Sequence, residues 1–225
     1  MSDWLSGWRK CDDPVADALV TSTVLVTVAA TRGSVPRAPG TKMLVGPGYQ
    51  FGTVGGGHLE MRALQIARAL LAGASQGKTI ATCIERFALG PSLGQCCGGA
   101  VHLVFEHCSG QLAAVLDGLQ QRRRQHSWRC SAIDGDASAA LFDDAAVLLA
   151  GLDFPDPAVP ALTCITQGSA GLAAGAGAGT YIDRDDTGRR WLIDPCPAPR
   201  SHLMLFGAGH VGSALIKALA AIDCH

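Results

Sequence analysis

At 225 residues the chain can hold one large domain or two small ones around a core that needs no staples. A 48% hydrophobic share against 16% charged residues is a globular composition. A net charge of -1, with no basic stripe interleaved with aromatics, gives no case for a nucleic-acid or membrane partner. The nine cysteines are odd in number and lack Cys-x-x-Cys spacing, and the N-terminus shows no charged-then-apolar leader. The expectation is a soluble cytoplasmic protein with reduced thiols. No apolar run approaches the ~20 residues that span a bilayer.

Pro14 to Leu19 suits a short helix, and the β-branched run Thr23 to Val28 reads as a buried strand. Thr31 to Gly40 is rich in breakers and reads as a loop. Thr41 to Val45 and Tyr49 to Val54 flank Gly46-Pro47-Gly48 as a hairpin. Between Asp17 and Glu60 there is no acidic residue, whereas Arg32, Arg37 and Lys42 all fall in that window. Such a local cationic region favours an anionic ligand; the plain alternative is three long side chains solvating a loop.

Thr53-Val54-Gly55-Gly56-Gly57-His58-Leu59-Glu60 predicts a strand, a glycine turn and a helix with one apolar face. Glycines let a ligand approach the backbone, and the first N–H groups of a helix lack intrahelical partners. Together they suit a phosphate or other oxyanion. Glu60 suits the helix dipole on its own account. After that helix, Thr79 to Phe87 predicts a strand.

Leu89 to Ala100 then carries four glycines, a proline and the adjacent pair Cys96 and Cys97, with no charged residue between Arg86 and Glu106. It is too glycine-rich for a helix interior and reads as a close-approach loop that delivers thiols, with Gln95, Gly98 and Gly99 around them. Two small buried hydrophobes on a structural loop are the alternative. His58, His102 and His107 are isolated and read as structural or surface residues rather than metal ligands. A strand from Ala100 to Phe105 and a helix from about Gln111 to Arg123 follow, the latter ending in the cations Arg122 to Arg124.

Short apolar stretches between Trp128 and Ala150 predict further strands, and residues 181–183 and 190–193 predict a hairpin. Ser169 to Thr180 is almost wholly Ala and Gly, either flexible or closely packed. Pro195 to Pro199 predicts a stiff spacer. Beyond it, a strand at 202–206 runs into Gly207-Ala208-Gly209-His210-Val211-Gly212 and a helix from Ser213 to Ile222. This is a dinucleotide fingerprint without the acidic residue expected ~20 positions on. Residues 202–225 thus read as the opening of an incomplete Rossmann domain, and NAD(P) binding is not expected of it.

Four stretches in this order resemble the xanthine dehydrogenase accessory proteins of the XdhC/CoxI family. They are Gly33-Ser34-Val35-Pro36-Arg37 with Gly40 to Met43; Gly55 to Glu60; Leu89-Gly90-Pro91 to Gly99; and Leu205 to Gly212. The likeness runs from about Val20 to Ala220. The fold it implies is α/β: a mixed α+β cofactor-handling domain over 1–194, a spacer over 195–201, and the first β-α unit of a Rossmann domain over 202–225. The function it implies is a carrier and chaperone, not an enzyme. It would bind the molybdenum cofactor (molybdopterin), support its sulfuration and deliver it to xanthine dehydrogenase or a related molybdenum hydroxylase. A cysteine desulfurase and a second copy of the chain, as a homodimer, are the further partners implied.

Local chemistry is compatible. The pterin phosphate suits Arg32, Arg37, Lys42 and Gly55 to Gly57, with Glu60 beside them, and soft thiolates at Cys96 or Cys97 suit a molybdenum–sulfur centre or sulfur relay. Two other readings stand beside this one. An NAD(P)-binding oxidoreductase would rest on Gly207, Gly209 and Gly212, and a fragment or split subunit would need a separate Rossmann chain.

Overall fold

The computed structural model describes residues 3–9, 23–76, 78, 80–90, 94, 97–151, 179–198, 204–207 and 209–219. The helix expected at 14–19, most of the Ala/Gly run at 169–180, and Gln95 and Cys96 lie outside those residues.

The described chain is an α+β fold with two five-stranded sheets in which every pairing is antiparallel. The first sheet contains β1 (Val24–Arg32), β2 (Lys42–Val45), β3 (Gln50–Gly52), β4 (Cys83–Ala88) and β5 (Ala100–His107), in the order β3-β2-β1-β5-β4. The second contains β6 (Ser127–Ala132), β7 (Ala139–Phe142), β8 (Leu148–Gly151), β9 (Tyr181–Arg184) and β10 (Arg190–Cys196), in the order β8-β7-β6-β10-β9. Helices α1 (Asp3–Arg9), α2 (Gly57–Ala74), α3 (Gly110–Gln121) and α4 (His210–Leu219) complete it. None of the described helices is long and apolar enough to cross a membrane.

Strand alternation sorts the side chains of the first sheet into two layers. Val24, Val26 and Val28 of β1 and Val101, Leu103 and Phe105 of β5 face α2, which supplies Leu59, Ala63, Ala67 and Leu71 at helical spacing. The opposite face meets the second sheet. At one end Leu25 and Leu44 join Trp4 and Trp8 of α1 and the apolar stripe of α3. At the other, Ala29 and Val104 pack with Ile133 and Leu192. Between these apolar ends lies a band of charge. Lys42, Glu106, Arg129 and Asp194 are all buried there.

Several expectations shift. The strand expected over 79–87 begins only at Cys83, where pairing with Phe105 starts. β1 runs on through Arg32, beyond the expected loop start, because β5 follows it past an irregularity between Val28 and Ala30. β10 includes Pro195 and Cys196, which lie opposite Trp128 and Ser127, so the expected spacer begins as a strand. Residues 204–206, expected as strand, are not in one, and no described strand pairs with them; a lone strand has no ladder to hold it.

Candidate functional site

Three stretches far apart in sequence meet at one end of the first sheet, where β1 stops and β5 starts. Because β1 and β5 are antiparallel with Arg32 opposite Ala100, the loop leaving β1 and the loop entering β5 emerge side by side. The Gly99 amide donates to Ser34 O at 3.0 Å, and Leu89 N donates to Gly99 O at 2.9 Å. A Cβ on Gly99 would lie 2.6 Å from Arg32 O and nearer still to Ser34 O, so only glycine fits. The third stretch arrives over Pro36. Gly55, at φ +135°, would place a Cβ 2.6 Å from Pro36 Cγ, with Arg37 Cγ at 3.7 Å. The glycines there serve both backbone conformation and close approach. That is the convergence the spacing in sequence left open.

Glu60 holds the second of these loops from inside. One carboxylate oxygen accepts from Val54 N at 3.2 Å, Gly56 N at 3.1 Å and the Thr53 hydroxyl, while the other accepts from Gln50 Nε2 at 2.8 Å. Gly56 is the N-cap of α2, so the carboxylate satisfies the cap amide as an internal anion does at a helix N-terminus. The oxyanion seat read from Gly55 to Gly57 is therefore partly taken by the chain's own carboxylate.

Burial raises the Glu60 pKa, but the Thr53, Gln50, Gly56 and Val54 donors outweigh it and bring the carboxyl below its usual 4.5. A depressed folded value contributes stability that is present above pH 4.5 and is lost as pH falls through the folded value. Glu60→Gln should therefore flatten the acid side of the stability profile, measured by urea unfolding at a series of pH values below neutrality. An unchanged acid slope would contradict this role.

The three cations separate. Arg32 and Arg37 are exposed where the loops meet, one at the end of β1 and one beside Gly55. Lys42 is not at that surface: it is buried and donates to Asp194 Oδ1 at 3.0 Å and to Gly40 O at 2.8 Å. The sequence grouped it with the arginines by charge, whereas strand alternation on β2 turns it toward the second sheet.

Of the thiols in the glycine loop, Cys97 is described. It is half-buried and packs with Val35 against the α2-facing core, while Gly98 beside it is exposed. Elsewhere, burial and then the Asp194 carboxylate push the Cys196 thiol up to about 12. Burial and the Glu106 charge push Cys108 up further, and Cys130 is buried. A thiol so shifted is almost wholly protonated at neutral pH and is a poor nucleophile or soft ligand.

Of the histidines, His58 is exposed and His107 Nδ1 lies 3.0 Å from Ser109 Oγ. His102 sits in β5, where burial and then the Arg86 charge lower its pKa against a backbone hydrogen bond with Ala30. No group of three or more His, Cys, Asp or Glu residues among the described ones is placed to hold a metal ion.

At the C-terminal end, Gly207 has φ +111°, a Cβ on Gly212 would lie 2.7 Å from Gly207 O, and α4 starts at His210. The apolar side chains there, Phe206 and Val211 among them, are exposed. No described residue of 204–219 is part of the buried core.

With this geometry in view, comparison with known proteins adds two findings. Residues 18–85 match the model of the XdhC and CoxI family. A crystal structure described as a xanthine dehydrogenase from Bacillus halodurans superposes with a TM-score of 0.63 at 18% sequence identity, over 98% of this chain. At that identity the likeness is one of fold. The chain spans 60% of the length of that protein. No curated protein matches the sequence.

Proposed function

We propose, starting from the assignment of this chain to the XdhC and CoxI family through residues 18–85, that it serves the xanthine dehydrogenase system as a carrier of the molybdenum cofactor. It holds the cofactor during sulfuration and passes it to xanthine dehydrogenase or a related molybdenum hydroxylase. The observation that carries this reading is the meeting of three glycine-rich loops at one end of the first sheet, with Arg32 and Arg37 exposed and Cys97 alongside.

The residues present fit the anionic end of that group. Two guanidinium groups offer forked donors to a phosphate, and the first-turn amides of α2 add the positive end of a helix. Lys42 is withdrawn from the ligand set by its buried ion pair, and Glu60 acts on the loop rather than on the ligand. Bound there, the cofactor supplies a soft metal–sulfur centre, for which a thiolate at Cys97 or the adjacent Cys96 is the matched protein group. The chain's own work is to bind, shield and release; no base and nucleophile converge among the described residues there, and we read the protein as a maturation factor rather than a catalyst. A cysteine desulfurase and a second copy of the chain complete the proposed partners, acting in the cytoplasm.

Reconstitution tests this. Cofactor-loaded wild-type chain, incubated with a cysteine desulfurase and apo xanthine dehydrogenase, is expected to restore dehydrogenase activity. The Cys96→Ala/Cys97→Ala double variant is expected to load but to activate poorly. Full activation by the double variant would remove the thiols from the reading, and failure of the wild type to load would remove the reading itself.

A further inference from the structure

The band of charge between the two sheets reaches the candidate site at one point, the loop joining β1 to β2. Lys42 Nζ bridges Gly40 O at 2.8 Å and Asp194 Oδ1 at 3.0 Å. The same Asp194 oxygen accepts from Thr180 Oγ1 at 2.7 Å, and Asp194 Oδ2 accepts from Arg129 Nε at 3.0 Å. Arg129 in turn binds both Glu106 oxygens, at 2.9 and 2.7 Å, and reaches Ser131 and Thr27. Gly40 is clamped from the other side, since a Cβ there would stand 2.6 Å from Thr180 Oγ1. Two backbone bonds, Gly40 N to Val28 O at 2.8 Å and Val28 N to Thr41 O at 2.9 Å, close the grip on the base of the loop.

Two acids and two cations so deeply buried are a poor way to gain stability, because desolvation cancels most of the Coulomb gain. Such clusters act better as geometric specifiers. This one has a definite object: the loop that it fixes carries Arg37 and presents Pro36 to Gly55 and Ser34 to Gly99.

We infer that Lys42, Asp194 and Thr180 are positioning residues for the cofactor-facing loop 33–40, coupling its shape to the packing of the second sheet. The inference rests on the proposed carrier function for its consequence, though not for its geometry. Lys42→Met keeps the reach of the side chain while removing both bonds, and Thr180→Val keeps its shape while removing one.

Hydrogen exchange on the full chain without cofactor is the first readout. Amides of 33–41 are expected to exchange about tenfold faster in Lys42→Met, and less so in Thr180→Val, with the α2-facing strands unchanged. Titration with molybdenum cofactor is the second, with affinity expected to fall in the same order. Uniform acceleration over both sheets would mean a merely structural role and would overturn the inference. So would an unaltered loop in Lys42→Met. Local acceleration in a protein whose wild type binds no cofactor would leave the positioning intact and sink the carrier function alone. If Lys42→Met does not fold, the milder Thr180→Val decides by the same two criteria.

Discussion

Replacing Arg129 with Met should lower the unfolding free energy by about 3–5 kcal/mol, the range for stranding buried charge. The guanidinium is wholly buried and is the shared partner of Glu106 and Asp194, at 2.7 and 3.0 Å. Burial alone lowers the Arg129 pKa, but the charges of Glu106 and then Asp194 raise it above its ordinary value. Asp194 is held below its ordinary value against the cost of its own burial by Lys42 first and Arg129 second.

Arg129→Met takes from Glu106 its buried guanidinium partner and leaves Asp194 with Lys42. Buried carboxylates with too few cations have raised folded pKa values, and a raised value contributes stability at low pH that is lost as pH rises. The variant should therefore lose less stability near pH ~5 than near pH ~8, as measured by urea unfolding at each pH. A loss below about 1 kcal/mol, as for an exposed pair, would show that the band is not closed to water.

A second large effect is expected at Gly99 and not at its neighbour. In Gly99→Ala the new methyl meets the Arg32 carbonyl at 2.6 Å and Val35 Cγ1 at 2.8 Å, and must displace the amide that donates to Ser34. Overpacking against backbone of this kind costs about 1–3 kcal/mol, and here it also separates the cysteine loop from the loop that carries Arg37. Gly98→Ala is the matched control. Its Cβ has nothing within 4 Å, so thermal unfolding should be nearly unchanged. Equal losses in the two variants would mean that the loops are not joined as described.

Much of the first sheet was legible because its signals are local. Thr23 to Val28 and Ala100 to Phe105 are β-branched and apolar, and Gly46-Pro47-Gly48 marks the hairpin turn between β2 and β3. Gly55 to Glu60 announces the start of α2, and Glu60 sits in its first turn as expected. What the sequence could not disclose was where a side chain of known charge would point. Lys42 follows Arg32 and Arg37 in an acid-free window, yet strand alternation sends it inward to Asp194, 152 positions away.

The ionic band leaves a signal in the sequence. Glu106, Arg129 and Asp194 each follow a large apolar residue, Phe105, Trp128 and Ile193, on a strand, and a charge in such a place needs a partner across the layer. The C-terminal strand failed for the opposite reason. Its local pattern is sound, but no described strand pairs with it, and ladders are made by partners rather than by propensity.

The resemblance grouped the three loops, but their contacts were not legible in the residues, since they follow from the β1–β5 register and from the packing of Gly55 on Pro36. Together these also bring Arg32, Arg37, the start of α2 and Cys97 to one end of the first sheet. Equilibrium titration of the purified chain with molybdenum cofactor, followed by pterin fluorescence, tests that site most directly. Saturable binding by the wild type is predicted, weakened about tenfold or more by Arg37→Ala through loss of a charge-assisted contact. Absence of saturable binding by a wild-type chain whose three loops are protected from hydrogen exchange would contradict it.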